Sequence, residues 1–222
     1  MPDAFCYFVR PGDNEELRMS LRSVAKHYPD VPVYIVGDMP PWVRNVHYTP
    51  GNIFPGNKPW NVWYNLRLIA EWDEVPEDIV VMNDDMYILE PLDEIPVLYR
   101  STLKEHLELL GERDDWWSRS LYHTADILPK DALSYELHTP FPAKKSQLAK
   151  SLSIDPGTYP PQWRTLYGNH WHTNPAQAED VKVTRARHWL PEGPFASTHD
   201  MSFRWVKYHL HSLYPKPSVH ER

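Results

Sequence analysis

Ile79-Val80-Val81-Met82 is apolar at every position, so neither face of this run can be left to water. A strand of that kind must be covered on both sides, as strands are in the parallel sheets of α/β proteins. The flanking pattern supplies the cover. Ala4 to Val9 reads as a strand and Glu15 to Tyr28 as a helix, with Leu17, Leu21, Val24 and Ala25 at helical spacing. Asp13 or Asn14 is placed to cap that helix, and Pro29-Asp30 ends it. Val31 to Val36 is a second strand, stopped by Gly37-Asp38, and Val46-His47-Tyr48 is a short extended piece. Asn61 to Trp72 predicts a second helix and Asp78 to Leu89 a third major strand. The β-α-β-α-β order predicts an α/β fold with a mostly parallel sheet flanked by helices.

Beyond Pro91 the pattern changes. Thr102 to Leu110 and Met201 to Leu213 read as helices, but Asp114 to His199 is rich in Trp, Tyr, His and Pro with weak periodicity. An irregular, aromatic second half is expected there. The 222 residues suit one domain, divided into a half over 1–92 and a site-completing half over 93–222. Twenty-three prolines against 8 glycines predict long, stiffened loops. The single cysteine, Cys6, excludes an internal disulfide and a multi-cysteine zinc site. A formal charge of −7 argues against a general grip on polyanions. Met1-Pro2-Asp3 has no basic leader character, and no apolar run nears the ~18 residues of a membrane span. A cytoplasmic location is the expectation.

Chemistry enters at Asn83-Asp84-Asp85, directly after the apolar strand. Ligands of open α/β sheets bind beyond the carboxyl ends of the strands. Two neighbouring carboxylates there repel unless a cation relieves them, and hard oxygen ligands suit Mg²⁺ or Mn²⁺ shared with substrate phosphates. Alternation along a strand puts Asn83 and Asp85 on one face and Asp84 on the other. Asp85 is thus the first candidate metal ligand and Asp84 a candidate catalytic carboxylate.

Val80-Val81-Met82-Asn83-Asp84-Asp85-Met86-Tyr87-Ile88 resembles the Asp-x-Asp strand of GT-A-fold glycosyltransferases, with Asn in the first acidic place. More closely, the chain resembles the Stealth family of sugar-phosphate transferases and related short phage-type glycosyltransferases. The stretches that carry this are Arg10 to Val24, Val33-Tyr34-Ile35-Val36-Gly37, Pro41-Trp42-Val43, His138-Thr139-Pro140, Phe195 to Asp200 and Tyr214 to Glu221. The resemblance implies a GT-A-like fold, a nucleotide-sugar donor (UDP-linked by the same resemblance) and a divalent Mn²⁺ or Mg²⁺. The Trp-Val-Asn-Gly segment usual in Stealth proteins does not occur in this sequence, so transfer of a sugar leads over transfer of a sugar 1-phosphate.

Other residues fit that frame. Arg10 ends the first strand and can reach a diphosphate or base, since guanidinium suits bidentate phosphate contact. Asn14 and Arg18 sit at the start of the first helix, where backbone donors favour anions. Asp38 ends the second strand and is placed to hold the base or ribose. Asn61, opening the second helix, matches an Asn of the Stealth pattern, so the resemblance implies a donor-binding role for it. Arg164 can neutralise the departing diphosphate. His199 is the candidate third metal ligand, Asp200 can take the acceptor proton, and His138 is a candidate catalytic group. His170-Trp171-His172 reads as structural. The acceptor (a glycan, a protein or a hydroxymethylated DNA base) is left open. A Trp-rich sugar-binding module without catalysis is the reading from another class.

Overall fold

A computed structural model describes residues 1–51, 57–184 and 189–222. The first half runs β1 (Ala4–Val9), α1 (Glu15–His27), β2 (Val33–Gly37), β3 (His47–Pro50), α2 (Lys58–Glu71), β4 (Asp78–Asn83) and β5 (Met86–Ile88). The second runs β6 (Leu98–Tyr99), β7 (Ser101–Thr102), α3 (Leu103–Leu110), α4 (Trp116–Ile127), β8 (Leu133–Ser134), β9 (Phe141–Lys144), α5 (Lys145–Ser151), α6 (Trp163–Trp171), β10 (Ala176–Gln177), β11 (Phe195–Ser197) and α7 (Asp200–Leu213). The central sheet has the order β3-β2-β1-β4-β9. Its first four strands are parallel, and β9 joins β4 antiparallel.

The alternation of side chains explains the unbroken apolar strands. Cys6, Ile79 and Val81 face a core shared with Trp63, Leu66, Leu148 and Trp163. Phe5, Tyr7, Val80 and Met82 face another, shared with Leu17, Leu21 and Val24 of α1. A third cluster joins Met19 and Tyr87 to Phe203, Val206 and Leu210 of α7.

Three elements differ from the sequence pattern, each for a local reason. The expected strand over 78–89 breaks at Asp84-Asp85. Asp84 accepts from Asn14 Nδ2 at 2.5 Å and the Asp85 carbonyl accepts from Thr198 N–H at 3.0 Å, so the chain turns there. After the turn, β5 leaves the central sheet to pair antiparallel with β11. Helix α2 begins three residues before Asn61, because Asn57 caps it through Trp60 N–H and Pro59 fits its first turn. The second half is also less irregular than expected. Helix α4 escapes the hydrophobic pattern because its buried face is largely hydroxylic: Ser118, Ser120 and Thr124 beside Leu121. Ser120 donates to the Pro160 carbonyl, and Thr124 Oγ1 accepts from Gln162 N–H at 2.8 Å.

Gly37, at the end of β2, has φ +123°, and a Cβ there would lie 2.2 Å from the Val9 carbonyl oxygen. The Asp38 N–H bonds that same oxygen at 3.0 Å, so the strands are fixed at this separation. Gly37→Ala is expected to cost at least ~3 kcal/mol through combined clash and backbone strain. Urea denaturation should show this as a lower midpoint at an unchanged slope.

Candidate active site

A cavity of about 790 Å³ opens beyond the carboxyl ends of β1 and β4. Strands β1 and β4 contribute Phe8 and Asn83, and the turn after β4 contributes Asp85; the second half contributes Glu136, His138, Arg164, Lys182 and His199. Of the residues expected from sequence, Asn83, Asp85, His138, Arg164 and His199 therefore meet here.

Arg164 sits in the first turn of α6 and is buried. Its Nη2 donates to Asn83 Oδ1 at 3.3 Å, while its Nε has no protein partner among the described residues. Burial pulls its pKa down, against the pull of Glu136, Asp85 and Asp180. One turn along α6, Gly168 lies so close to Tyr135 that a Cβ would stand 2.5 Å from the ring. That close approach sets the distance between α6 and the 135–138 segment.

Asp85 is the counterpart of Arg164. Its Oδ2 is 3.4 Å from Lys182 Nζ, and its Oδ1 is buried without a protein partner among the described residues. Lys182 is held by its backbone: its N–H bonds Asp180 Oδ1 at 3.2 Å, and the residue bridges to Ser197. Asp180 also takes His138 Nδ1 at 2.8 Å on its other oxygen. Burial alone would raise the Asp180 pKa, but His138 and the two backbone donors hold it down at about 2. Glu136 accepts from Thr165 Oγ1 and N–H, and burial pushes its pKa up.

Asp84 points away from the cavity into a second, acidic network. Arg10 pairs there with Glu16, with Asp84 at 3.4 Å and with Asp200 at 2.7 Å. Burial and the neighbouring Asp85 raise Asp84 to about 6, and burial raises Glu16 to about 7. Asn14 caps α1 and donates to Asp84, so it belongs to this network.

The structure does not bring the remaining candidates to the cavity. Arg18 binds Glu221 at 3.1 Å and stacks over Trp42, so its charge is used at the far side of α1. Asp38 accepts Gly12 N–H at 3.2 Å and holds the turn before α1. Asn61 lies inside α2, whose cavity-facing residues are Lys58, Pro59, Val62 and Trp63. Asp200 is an exposed first residue of α7, and the cap is His199. That capping role differs from the expectation of a metal ligand. Nδ1 of His199 accepts from Met201 and Ser202 N–H, so in the neutral ring the proton is on Nε2, leaving that nitrogen a donor. Among the described residues no three His, Cys, Asp or Glu side chains form a metal cluster.

Sequence reading missed Glu136, Asp180 and Lys182. A signal was present: Glu136-x-His138 and Asp180-x-Lys182 both have the two-residue period that puts side chains on one side of an extended segment.

Comparison with known proteins gives a fold and no family. No protein-family model matches the chain, and no curated protein matches it. Among solved structures, the galactosyltransferase LgtC in complex with donor and acceptor sugar analogs is similar over 97% of this chain and 96% of that one. The identity is 7% and the TM-score 0.57, so the likeness is one of architecture. No described helix is long and apolar enough to cross a membrane. The chain has an α/β, GT-A-like fold, with a mostly parallel sheet whose carboxyl end opens into the charged cavity.

Proposed function

We propose that this chain is a glycosyltransferase that moves a sugar from a nucleoside-diphosphate donor, UDP-linked by the sequence resemblance, to an acceptor hydroxyl. One observation carries the reading: two buried atoms of opposite charge, Asp85 Oδ1 and Arg164 Nε, lack protein partners among the described residues in one cavity wall. Leaving a buried polar atom without a hydrogen-bond partner costs ~1–3 kcal/mol, so such atoms mark a ligand that satisfies them. A diphosphate accompanied by a cation satisfies both. The solved structure of like fold is in complex with donor and acceptor sugar analogs, which supports the same reading.

Asp85 Oδ1 and the neighbouring Asn83 Oδ1 are hard oxygen donors that fit Mn²⁺ or Mg²⁺, with the remaining coordination left to phosphate. Such an ion, when bound, supplies charge neutralisation at the diphosphate. Arg164 would bind the diphosphate through its free donors, and the Nε2 proton of His199 would add another. His138, its Nδ1 bound to Asp180, keeps Nε2 as the basic nitrogen to take the acceptor proton. In the transfer the acceptor oxygen bonds the anomeric carbon, the bond from that carbon to the diphosphate oxygen breaks, and its electron pair leaves with the diphosphate. Arg10, held by Glu16, Asp84 and Asp200, with Asn14 bound to Asp84, would reach the donor from the acidic network behind the cavity. In this reading residues 1–92 bring the oxygen ligands and Arg10, and residues 93–222 bring Arg164, Lys182 and the base. The acceptor stays open among glycan, protein and modified DNA, as does a phage-type setting.

Incubation with a panel of UDP-sugars and Mn²⁺, followed by ion-exchange separation of nucleotides, tests this. Slow transfer to water should release UDP. UMP as the primary product would move the chemistry to sugar 1-phosphate transfer, and no binding of any nucleotide would end the reading.

A further inference from the structure

The ammonium of Lys182 occupies one oxygen of Asp85, while the other oxygen of the same carboxylate is buried and without a partner among the described residues. Lys182 also lines the cavity, and its backbone is fixed on both sides by Asp180 and Ser197. The side chain is anchored at its root and mostly shielded from water, with 23% of its surface exposed. The root of the side chain is therefore fixed whatever the ligand, while the ammonium on its four-carbon stem is able to change partner. A divalent cation arriving at Asp85 Oδ1 would stand within a few ångströms of Nζ, and like charges that close repel. The ammonium then needs another anion: the Glu136 carboxyl in the same lining is tied to Thr165 and pushed toward its neutral form by burial, so a ligand's phosphate is the better partner.

We propose that Lys182 is a built-in exchangeable cation of the donor site: it neutralises Asp85 in the empty protein and passes to the diphosphate when a metal ion takes Asp85. This rests on the reading of the cavity as a diphosphate site. Two opposite consequences follow. Lys182 and a metal ion compete for Asp85, so the lysine lowers metal affinity. Without metal, Lys182 neutralises Asp85 beside the Arg164 guanidinium, so the site still accepts the negative diphosphate and has measurable affinity for it.

The test compares wild type with Lys182→Met and Lys182→Arg, each checked for an unchanged melting temperature. Binding of Mn²⁺ alone is read from the free-ion electron spin resonance signal, and binding of UDP alone by calorimetry. Lys182→Met should bind Mn²⁺ about tenfold tighter and metal-free UDP about tenfold weaker, the size of one charged contact. Lys182→Arg should keep the metal-free UDP affinity. Weaker Mn²⁺ binding in Lys182→Met, or both affinities unchanged, overturns the proposal while leaving the diphosphate site standing. Failure of wild type to bind UDP with or without Mn²⁺ instead removes the site itself.

Discussion

Replacing Arg164 by methionine is expected to leave the protein about as stable as before, yet lower its affinity for UDP about 100-fold. The two effects separate because the guanidinium is buried but poorly served. It donates to Asn83 Oδ1 at 3.3 Å and lies 4.0 Å from the Met86 sulfur, with Nε unpartnered among the described residues. Removing it relieves the cost of keeping a cation out of water, against the loss of its attraction to Glu136 and Asp85. Methionine keeps most of the volume and fills the space flexibly. The diphosphate, by contrast, loses one or two charge-assisted hydrogen bonds, ~3 kcal/mol together. Calorimetric titration should show the loss for UDP and little change for uridine. A drop of more than ~5 °C in melting temperature would make Arg164 a structural residue, and unchanged UDP affinity would remove it from the donor site.

Glu221→Ala should give the largest loss of stability in the molecule's polar framework, ~3 kcal/mol or about 10 °C in melting temperature. Glu221 is buried and receives Arg22 through Nε at 2.7 Å and Nη2 at 2.8 Å, Arg18 at 3.1 Å and Ser218 N–H at 2.8 Å. Alanine would leave two guanidinium groups without their shared carboxylate. The double variant Arg22→Met with Glu221→Met should recover part of the loss, since a charge pair removed together costs less than one partner removed alone. The same cluster sets an acid limit. Burial opposes ionisation of Glu221, but the two arginines and Ser218 hold its pKa down at about 2, below its ordinary 4.5. A depressed pKa adds stability above the unfolded value and loses it as pH falls from ~4.5 toward 2. Melting temperature should therefore fall across that interval in wild type, and fall less in the double variant.

The sheet was legible because its strands are apolar on both faces, and both faces are in fact covered. Asn83, Asp85 and Arg164 were legible as charged or amide groups next to regular elements. What the sequence concealed was tertiary. The break at Asp84-Asp85 depends on Asn14, 70 residues earlier, and on Thr198, so Met86 to Ile88 read as a continuation of β4. Helix α4 turns serines and a threonine inward to partners near residue 160, which cancels the usual contrast between wet and dry faces. Arg18 looked like an anion ligand because its true partner, Glu221, is 203 residues away. Lys182 and Asp180 lie in an extended segment with no regular pattern, and only the folded chain shows that they bracket Asp85 and His138.

Gly168 makes the cavity wall that carries Arg164 adjustable from behind. The helix carrying Arg164 rests on the Tyr135 ring at a point where only a hydrogen atom fits. A methyl group there acts as a wedge: it tilts or lifts α6, and the guanidinium one turn away rides with it. The ring on the other side of the wedge belongs to the segment that carries Glu136 and His138, so the same displacement widens the gap between Arg164 and His138. Drift at a residue that never meets substrate can thus change the span of ligand the cavity accepts, while every charged group in it keeps its identity.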